Sequence, residues 1–225
     1  FCTASFSIDK DMDGPLYLYY ELTNFYQNNI KYQKSIPWTQ LSGDTSETEE
    51  ELALICDPLV TNGTDVLNPC GLVSNSFFTD RYGLISATST INGVNPATAG
   101  FDESQLVFTS PDYSQQPKAF NYDSISGSCP SECGTTTQNC DSCGELQRPC
   151  KCWKDPMTST SYMYHYPDDD TTDYLYEMYP NQINPIEGVT NEHFKVWMTI
   201  AGLPTFRKPY GKIDGPFKSG DVVKF

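Results

Sequence analysis

Residues 191–202 read NEHFKVWMTIAG. Phe194, Trp197, Met198 and Ala201 fall at offsets 0, 3, 4 and 7, which lines one face of a helix. Thr190 or Asn191 can cap the start, Glu192 suits the first turn, and Gly202 with Pro204 supplies a stop. Phe194, Val196, Met198 and Ile200 also alternate, so a strand is the competing reading.

Working outward, Pro15 to Leu22 (PLYLYYEL) follows the turn signal Asp13-Gly14 and reads as a strand. The next stretch, Asn24 to Gln33, has aromatics too irregularly spaced to assign. Ser42 to Glu50 reads as a solvated loop, with Glu47, Glu49, Glu50 and Glu51 forming an exposed face. Leu52 to Cys56 is a short apolar run closed by Asp57-Pro58. From about Gly83 to Tyr122, LISATST and QLVFTS read as short strands parted by Gly, Pro, Asn and Asp. Ser161 to Tyr179 is rich in Tyr, with Asp168, Asp169, Asp170 and Asp173 in its middle.

The chain has 225 residues, a length that predicts one domain. Hydrophobic residues make up 38% and aromatics 13%, too many for a disordered chain. Against 29 acidic residues stand 14 basic ones, a net charge of −15, which excludes a nucleic-acid or polyphosphate surface because polyanion affinity comes mainly from Lys and Arg. Nine cysteines among 16 prolines and 15 glycines indicate a loop-rich, disulfide-bonded domain of an oxidising compartment. No run of 18 apolar residues occurs, and Phe1 begins in domain-like sequence without a signal peptide, so the expectation is a mature or trimmed chain.

Cys56 and Cys70 are the only cysteines between residues 3 and 128, and pairing them closes a loop of about 15 residues. Cys2 is then left over, and its expected fate is a partner upstream of Phe1 or a free thiol. The other six, Cys129, Cys133, Cys140, Cys143, Cys150 and Cys152, sit with few large apolar residues and read as a disulfide-stapled insertion. Their spacing allows Cys140–Cys152 outside Cys143–Cys150, with Cys129–Cys133 as a small loop, but six cysteines allow fifteen pairings. Zinc ligation by Cys140-x2-Cys143 and Cys150-x-Cys152 is the competing reading. Asn62-Gly63-Thr64 is a glycosylation sequon on a turn-forming Asn-Gly inside the Cys56–Cys70 loop.

Catalytic patterns are weak. His165 and His193 are the only histidines, and no GxSxG, Walker-type or GxGxxG motif appears. His193 borders the apolar periodic run and reads as a structural histidine, with a base beside a carboxylate as the alternative. The Asp168–Asp173 cluster lacks the spacing of a calcium loop and reads as a solvated acidic turn. No cofactor or metal is expected.

A set of short motifs, taken in order, is more specific. Asn24-Phe25-Tyr26-Gln27-Asn28 follows the Tyr-rich strand, and Gln40-Leu41-Ser42-Gly43 comes a dozen residues later. Pro69-Cys70-Gly71 runs into Ser74-Asn75-Ser76-Phe77-Phe78-Thr79-Asp80. Asn191 to Met198 is followed by Ala201-Gly202-Leu203-Pro204-Thr205-Phe206-Arg207-Lys208, then Tyr210-Gly211. This set closely resembles the ectodomain of the Cdc-fifty/Lem-three (ligand-effect modulator) family, over about residues 1–82 and 174–225. Residues 123–160, which hold the Cys-rich insertion, fall outside the resemblance.

The resemblance implies a fold that is mainly β with minor α: an antiparallel β-sandwich-like ectodomain with long disulfide-braced loops and one or two short helices. It implies a glycosylated exoplasmic domain at 1–225, flanked by two membrane helices outside the chain, on the lumenal side of the endoplasmic reticulum, Golgi or plasma membrane. The family's members are non-catalytic accessory β-subunits of type IV P-type ATPases, the phospholipid flippases, which they escort and clamp. The family's loop disulfide falls on Cys56–Cys70, and Cys2 falls on the last member of an N-terminal cysteine cluster. A partner interface is expected at Phe206, Arg207, Lys208 and Tyr210, because aromatic and Arg residues dominate interface energetics. The alternative puts Phe206 in the core and pairs Arg207 with a carboxylate. An extracellular structural or adhesive protein reusing the fold is the rival to the flippase subunit.

Overall fold

The alternation in PLYLYYEL becomes a strand with two unlike faces. In the computed structural model, which describes residues 2–43, 46–84, 86–87, 101–106, 120–125, 151–154, 161–165 and 171–225, Leu16–Leu22 is extended, with Tyr17, Tyr19 and Glu21 exposed and Leu16, Leu18 and Tyr20 turned inward. For 86–87, 120–125, 151–154 and 161–165 only the backbone is described.

In chain order the elements are β1 (Ser5–Ser7), β2 (Leu16–Leu22), α1 (Ile30–Lys34), α2 (Trp38–Leu41), α3 (Glu49–Cys56), β3 (Thr61–Asn62) and β4 (Asp65–Asn68). There follow β5 (Ser86–Ala87), β6 (Phe120–Ile125), β7 (Lys151–Lys154), β8 (Ser161–His165), β9 (Thr172–Tyr174), α4 (Leu175–Met178), α5 (Glu192–Met198), β10 (Phe206–Ile213) and β11 (Val222–Lys224). The described fold is mainly β with minor α, but it holds five short helices where one or two were expected. The sheets are small and open: β1-β11-β5, β10-β2, β3-β4-β9 and β6-β8-β7. Their pairings are antiparallel except β4–β9, which is parallel. Among the described residues no helix is long and apolar enough to cross a membrane.

The chain forms two compact units. One comprises residues 1–28, 80–109 and 199–225. Its core is Ile8, Ile213, Phe217, Val223 and Phe225, against which Met12, Leu16, Leu18, Leu84 and Phe101 pack. β10 pairs with β2 from Phe206↔Leu22 to Ile213↔Leu16, with a bulge between Pro209 and Gly211. A proline cannot donate to a ladder, which is why the irregularity falls there. Gly211 opens a notch for Phe101, whose ring stacks on Tyr210 at 6.1 Å and meets Phe225 edge-on at 5.5 Å.

The other unit comprises residues 29–79 and 110–198. The structure joins Cys56 to Cys70, both fully buried, at a Cα separation of 5.6 Å. Leu52, Val60 and Leu67 complete that cluster. Buried Gln40 secures the loop: its Nε2 donates to Leu67 O at 3.0 Å, and its Oε1 accepts from Cys70 N at 2.8 Å. At 191–202 the helix prevails over the strand. α5 buries Phe194, Val196, Trp197 and Met198, and Trp197 Nε1 donates to Val73 O at 2.8 Å. Phe77 meets Phe194 and Trp197 edge-on at 5.8 and 6.5 Å.

α5 stops at Met198 rather than Gly202, because the backbone beyond it is claimed by other partners described below. The expected loop at 42–50 also ends early, since Glu49–Cys56 is helical. Thr48 and Glu51 form a reciprocal cap, with Thr48 N donating to Glu51 Oε2 at 2.9 Å. The pattern T-x-x-E was visible in the sequence, and Glu49, Glu50 and Glu51 complement the dipole of the first turn.

Two stability effects follow. A Cβ at Gly211 would lie 2.4 Å from the Phe101 ring, whereas one at Gly14 meets nothing within 4 Å. Gly211→Ala should therefore destabilise the chain by about 1–3 kcal/mol in denaturant titration, with Gly14→Ala near wild type. Replacing Cys56 and Cys70 together by Ala should cost roughly 3 kcal/mol by the same measurement, from the freed loop entropy.

Candidate partner interface

The β2–β10 register decides which side chains look outward. It sets Arg207 opposite Glu21, Pro209 opposite Tyr19 and Lys212 opposite Tyr17. Facing residues of an antiparallel pair share one side of the sheet, so these six form a single outer face. Arg207 Nε meets Glu21 Oε2 at 2.6 Å, with the two side chains 72% and 43% exposed. Water screens such a pair, so it contributes at most about 1 kcal/mol and its role is geometric. Tyr17 and Tyr19 are half exposed, with ring centroids 6.4 Å apart. Lys212 Nζ bridges to Asp102 Oδ2 at 3.1 Å. The Asp102 carboxyl is held down to about 2, chiefly by hydrogen bonds from the Ser104 hydroxyl and amide, with Lys212 adding to them.

The inner face receives the rest. Lys208, opposite Tyr20, is buried at 5% exposure, and its Nζ donates to Thr199 O while lying 5.5 Å from the Phe206 ring centroid. Tyr210 is also buried: its hydroxyl accepts from Tyr82 N at 3.1 Å, and its ring meets Tyr82 edge-on at 4.8 Å. Phe206 is half-buried, edge-on to Phe25 at 6.2 Å. The four residues of the expected interface thus divide between the two faces. Lys208 and Tyr210 are taken up in packing, Phe206 is partly so, and Arg207 alone of the four stands in solvent, with Glu21 as its carboxylate partner. Tyr17 and Tyr19 were read as strand residues, but alternation does not say which set of a strand's side chains faces out.

The loop 199–204 is pinned along its length. Fully buried Gln27 accepts from Ala201 N through Oε1 at 2.9 Å. Asn28 Nδ2 donates to Gly202 O at 3.2 Å, Phe25 N donates to Pro204 O at 3.1 Å, and Lys208 holds Thr199 O. Leu203, at the tip, is left 69% exposed. Two motifs that lie 170 or more residues apart in the chain, Asn24–Asn28 and Ala201–Lys208, are thus the two halves of one clamp.

The family comparison agrees with that convergence. The model of the LEM3 (ligand-effect modulator 3) family / CDC50 family matches residues 1–223. The chain belongs to this family. Human "Cell cycle control protein 50B" is 31% identical over 221 residues, covering 97% of this chain and 52% of the relative. "ALA-interacting subunit 3" of Arabidopsis thaliana is 27% identical over 222 residues, 99% of this chain and 47% of that protein. "Phospholipid-transporting ATPase accessory subunit CRF1" of Saccharomyces cerevisiae is 28% identical over 208 residues, 92% of this chain and 41% of that subunit. The chain spans about half the length of the curated relatives it matches. The family match also runs across the Cys-rich stretch, which the motif resemblance had left out.

The remaining candidates in this LEM3/CDC50 chain are placed as follows. Asn62 lies at the exposed tip of the β3–β4 hairpin, and Cys2 is exposed, with no disulfide partner among the described residues. His193 is half-buried on α5. Cys129, Cys133, Cys140, Cys143, Cys150 and Asp168–Asp170 lie outside the described residues, and Cys152 and His165 sit on β7 and β8, where only backbone is described. Among the described residues no group of three or more His, Cys, Asp or Glu could hold a metal ion.

Burial lowers the Lys208 amine from 10.5 to about 8. Between those values the unfolded chain holds a proton that the folded chain releases, so this group's contribution to stability rises as pH rises through the window and is constant below it. The unfolding free energy of wild type relative to Lys208→Met should shift in favour of wild type as pH rises from about 8 toward 10.5. Parallel curves would show that the amine is not desolvated.

Proposed function

We propose that this chain is the exoplasmic domain of a non-catalytic accessory β-subunit of a phospholipid-translocating P-type ATPase, serving folding, export and transport of the catalytic α-subunit. The observation that carries this is the family match over residues 1–223, together with a yeast relative named as an accessory subunit of a phospholipid-transporting ATPase. The clamp supports it physically. Residues of two of the motifs hold a loop and a sheet face in place, and Leu203, Tyr17, Tyr19 and Arg207 stand exposed there. Rigid presentation limits the ordering cost of association, so an exposed apolar loop tip and a sheet face that carries two tyrosines and an arginine suit protein docking. On this reading residues 1–225 act as one lumenal or exoplasmic domain, sandwich-like in the family's manner, disulfide-braced at 129–152, and anchored through membrane helices outside the chain.

Full-length protein co-expressed with its type IV P-type ATPase tests the proposal. Wild type should co-purify the ATPase and deliver it beyond the endoplasmic reticulum. Leu203→Asp and the pair Tyr17→Ala with Arg207→Glu should each weaken recovery roughly tenfold or more, if these are anchors of the kind that dominate interfaces. Thermal unfolding of the same variants should stay within a few degrees of wild type, since the changed side chains are exposed. Undiminished recovery and delivery with both variants would reject this surface; no ATPase with wild type would reject the function.

A further inference from the structure

β2 has two edges, and β10 covers one of them. The backbone of Lys212 tells which groups lie on the other. Its N–H donates to Asp102 O and its C=O accepts from Asp102 N, each at 2.9 Å, so neither is left for Tyr17 across the ladder. Lys212↔Tyr17 is therefore a pair without hydrogen bonds of its own, and Tyr17 turns its N–H and C=O away from β10. Pro209, opposite Tyr19, has no N–H to give and fits the same alternation. The extra residue of the bulge belongs to β10, so β2 keeps its period of two, and Tyr17, Tyr19 and Glu21 all direct their backbone groups to the far edge. Among the described residues no strand pairs with that edge. It is also undefended. Leu16–Leu22 (LYLYYEL) holds no Lys, no Pro and a single charge, Glu21, which is engaged with Arg207. Natural sheets place such residues on a lone edge to prevent pairing with other chains.

We propose that the far edge of β2 receives an extended, non-acidic segment of the partner ATPase as an added strand, which pairs through the backbone of Tyr17, Tyr19 and Glu21; the inference rests on the ATPase reading given above. The edge repeats its donors and acceptors at intervals of roughly 6.8 Å, two residues of strand rise, and any extended chain matches that spacing. A two-stranded sheet is marginal alone, and a third strand completes it. In the added ladder Tyr17, Tyr19 and Glu21 exchange hydrogen bonds with the residues directly opposite, whose side chains share the outer face. Tyr17 and Tyr19 favour aromatic or β-branched side chains there, and Glu21 disfavours Asp or Glu. Charge decides against a second copy as the occupant. Each copy carries a net charge of −15, so edge-to-edge self-pairing sets two strongly like-charged chains together. A neutral or basic segment of another protein meets no such repulsion.

The full-length protein, purified alone and as its complex with the co-expressed ATPase, tests this by residue-resolved amide hydrogen exchange. The Leu18 and Tyr20 amides, which face β10, should exchange slowly in both preparations. The Tyr17, Tyr19 and Glu21 amides should exchange freely in the protein alone and at least about tenfold more slowly in the complex. Tyr19→Pro removes one outward N–H and leaves the bonds to β10 in place. ATPase recovery with it should fall roughly tenfold below recovery with Tyr19→Val, which loses the ring and keeps the amide. If the proline variant fails to fold, the exchange rates of wild type decide alone. A recovered complex in which the three amides still exchange freely, or equal recovery with the folded proline and valine variants, would overturn the added strand and leave the ATPase reading standing. Protection already present in dilute isolated protein would overturn it in favour of a segment of the protein's own chain. Protection that appears only as isolated protein is concentrated would overturn it in favour of a second copy. No ATPase recovered with wild type would remove the ATPase reading and this inference with it.

Discussion

A buried lysine organises the loop 199–204 and the sheet face beside it. Lys208 points to the inner side of β10 and gives its ammonium to the carbonyl of Thr199, at the price of a desolvation that brings its amine down to about 8. Charged groups enter a protein interior only when they are paired or hydrogen-bonded, so the contact is costly to form and costly to break. With Gln27, Asn28 and the Phe25 amide holding Ala201 N, Gly202 O and Pro204 O, the loop 199–204 is tied at four backbone groups by partners within its own unit. Such a loop does not need ordering when something docks on it. The exposed leucine at its tip and the tyrosines of β2 are then presented by a frame whose rigidity comes from underneath.

The second unit reaches rigidity by a different route. Cys56–Cys70 ties the end of α3 to the second residue after the β3–β4 hairpin, and Gln40 fills the polar requirements of the loop from inside. Around it, Phe77, Phe194 and Trp197 form an aromatic cluster that gives α5 its buried face. Small open sheets bury little apolar area on their own. Covalent closure, buried amide hydrogen bonds and edge-on rings supply the cohesion that a larger sheet would otherwise provide.

For a subunit proposed to act by holding a transporter, this division of labour is coherent. The motif residues that place the chain in its family are mostly not at the surface. Gln27, Lys208 and Tyr210 are buried, and their importance lies in what they position. The net charge of −15 disfavours acidic partner surfaces.

Strand β2, helix α5, the family and the mainly-β class were legible in the sequence because each rests on local information: a period of two, a period of 3.6 with a cap and a stop, or an ordered set of short motifs. α3 was legible in principle through Thr48 and Glu51, but its run of glutamates fits a solvated loop equally well. What only the tertiary structure decided was the facing of each strand and the meeting of distant segments. Lys208 and Arg207 are neighbours of similar chemistry, and nothing local tells that one is buried against Thr199 and the other exposed beside Glu21. The parallel β4–β9 pair and the bond from Asn62 to Asp173 likewise join residues more than a hundred positions apart. Such contacts are set by which arrangement buries the most apolar surface while leaving no backbone group unpaired, and that is a property of the whole packed chain.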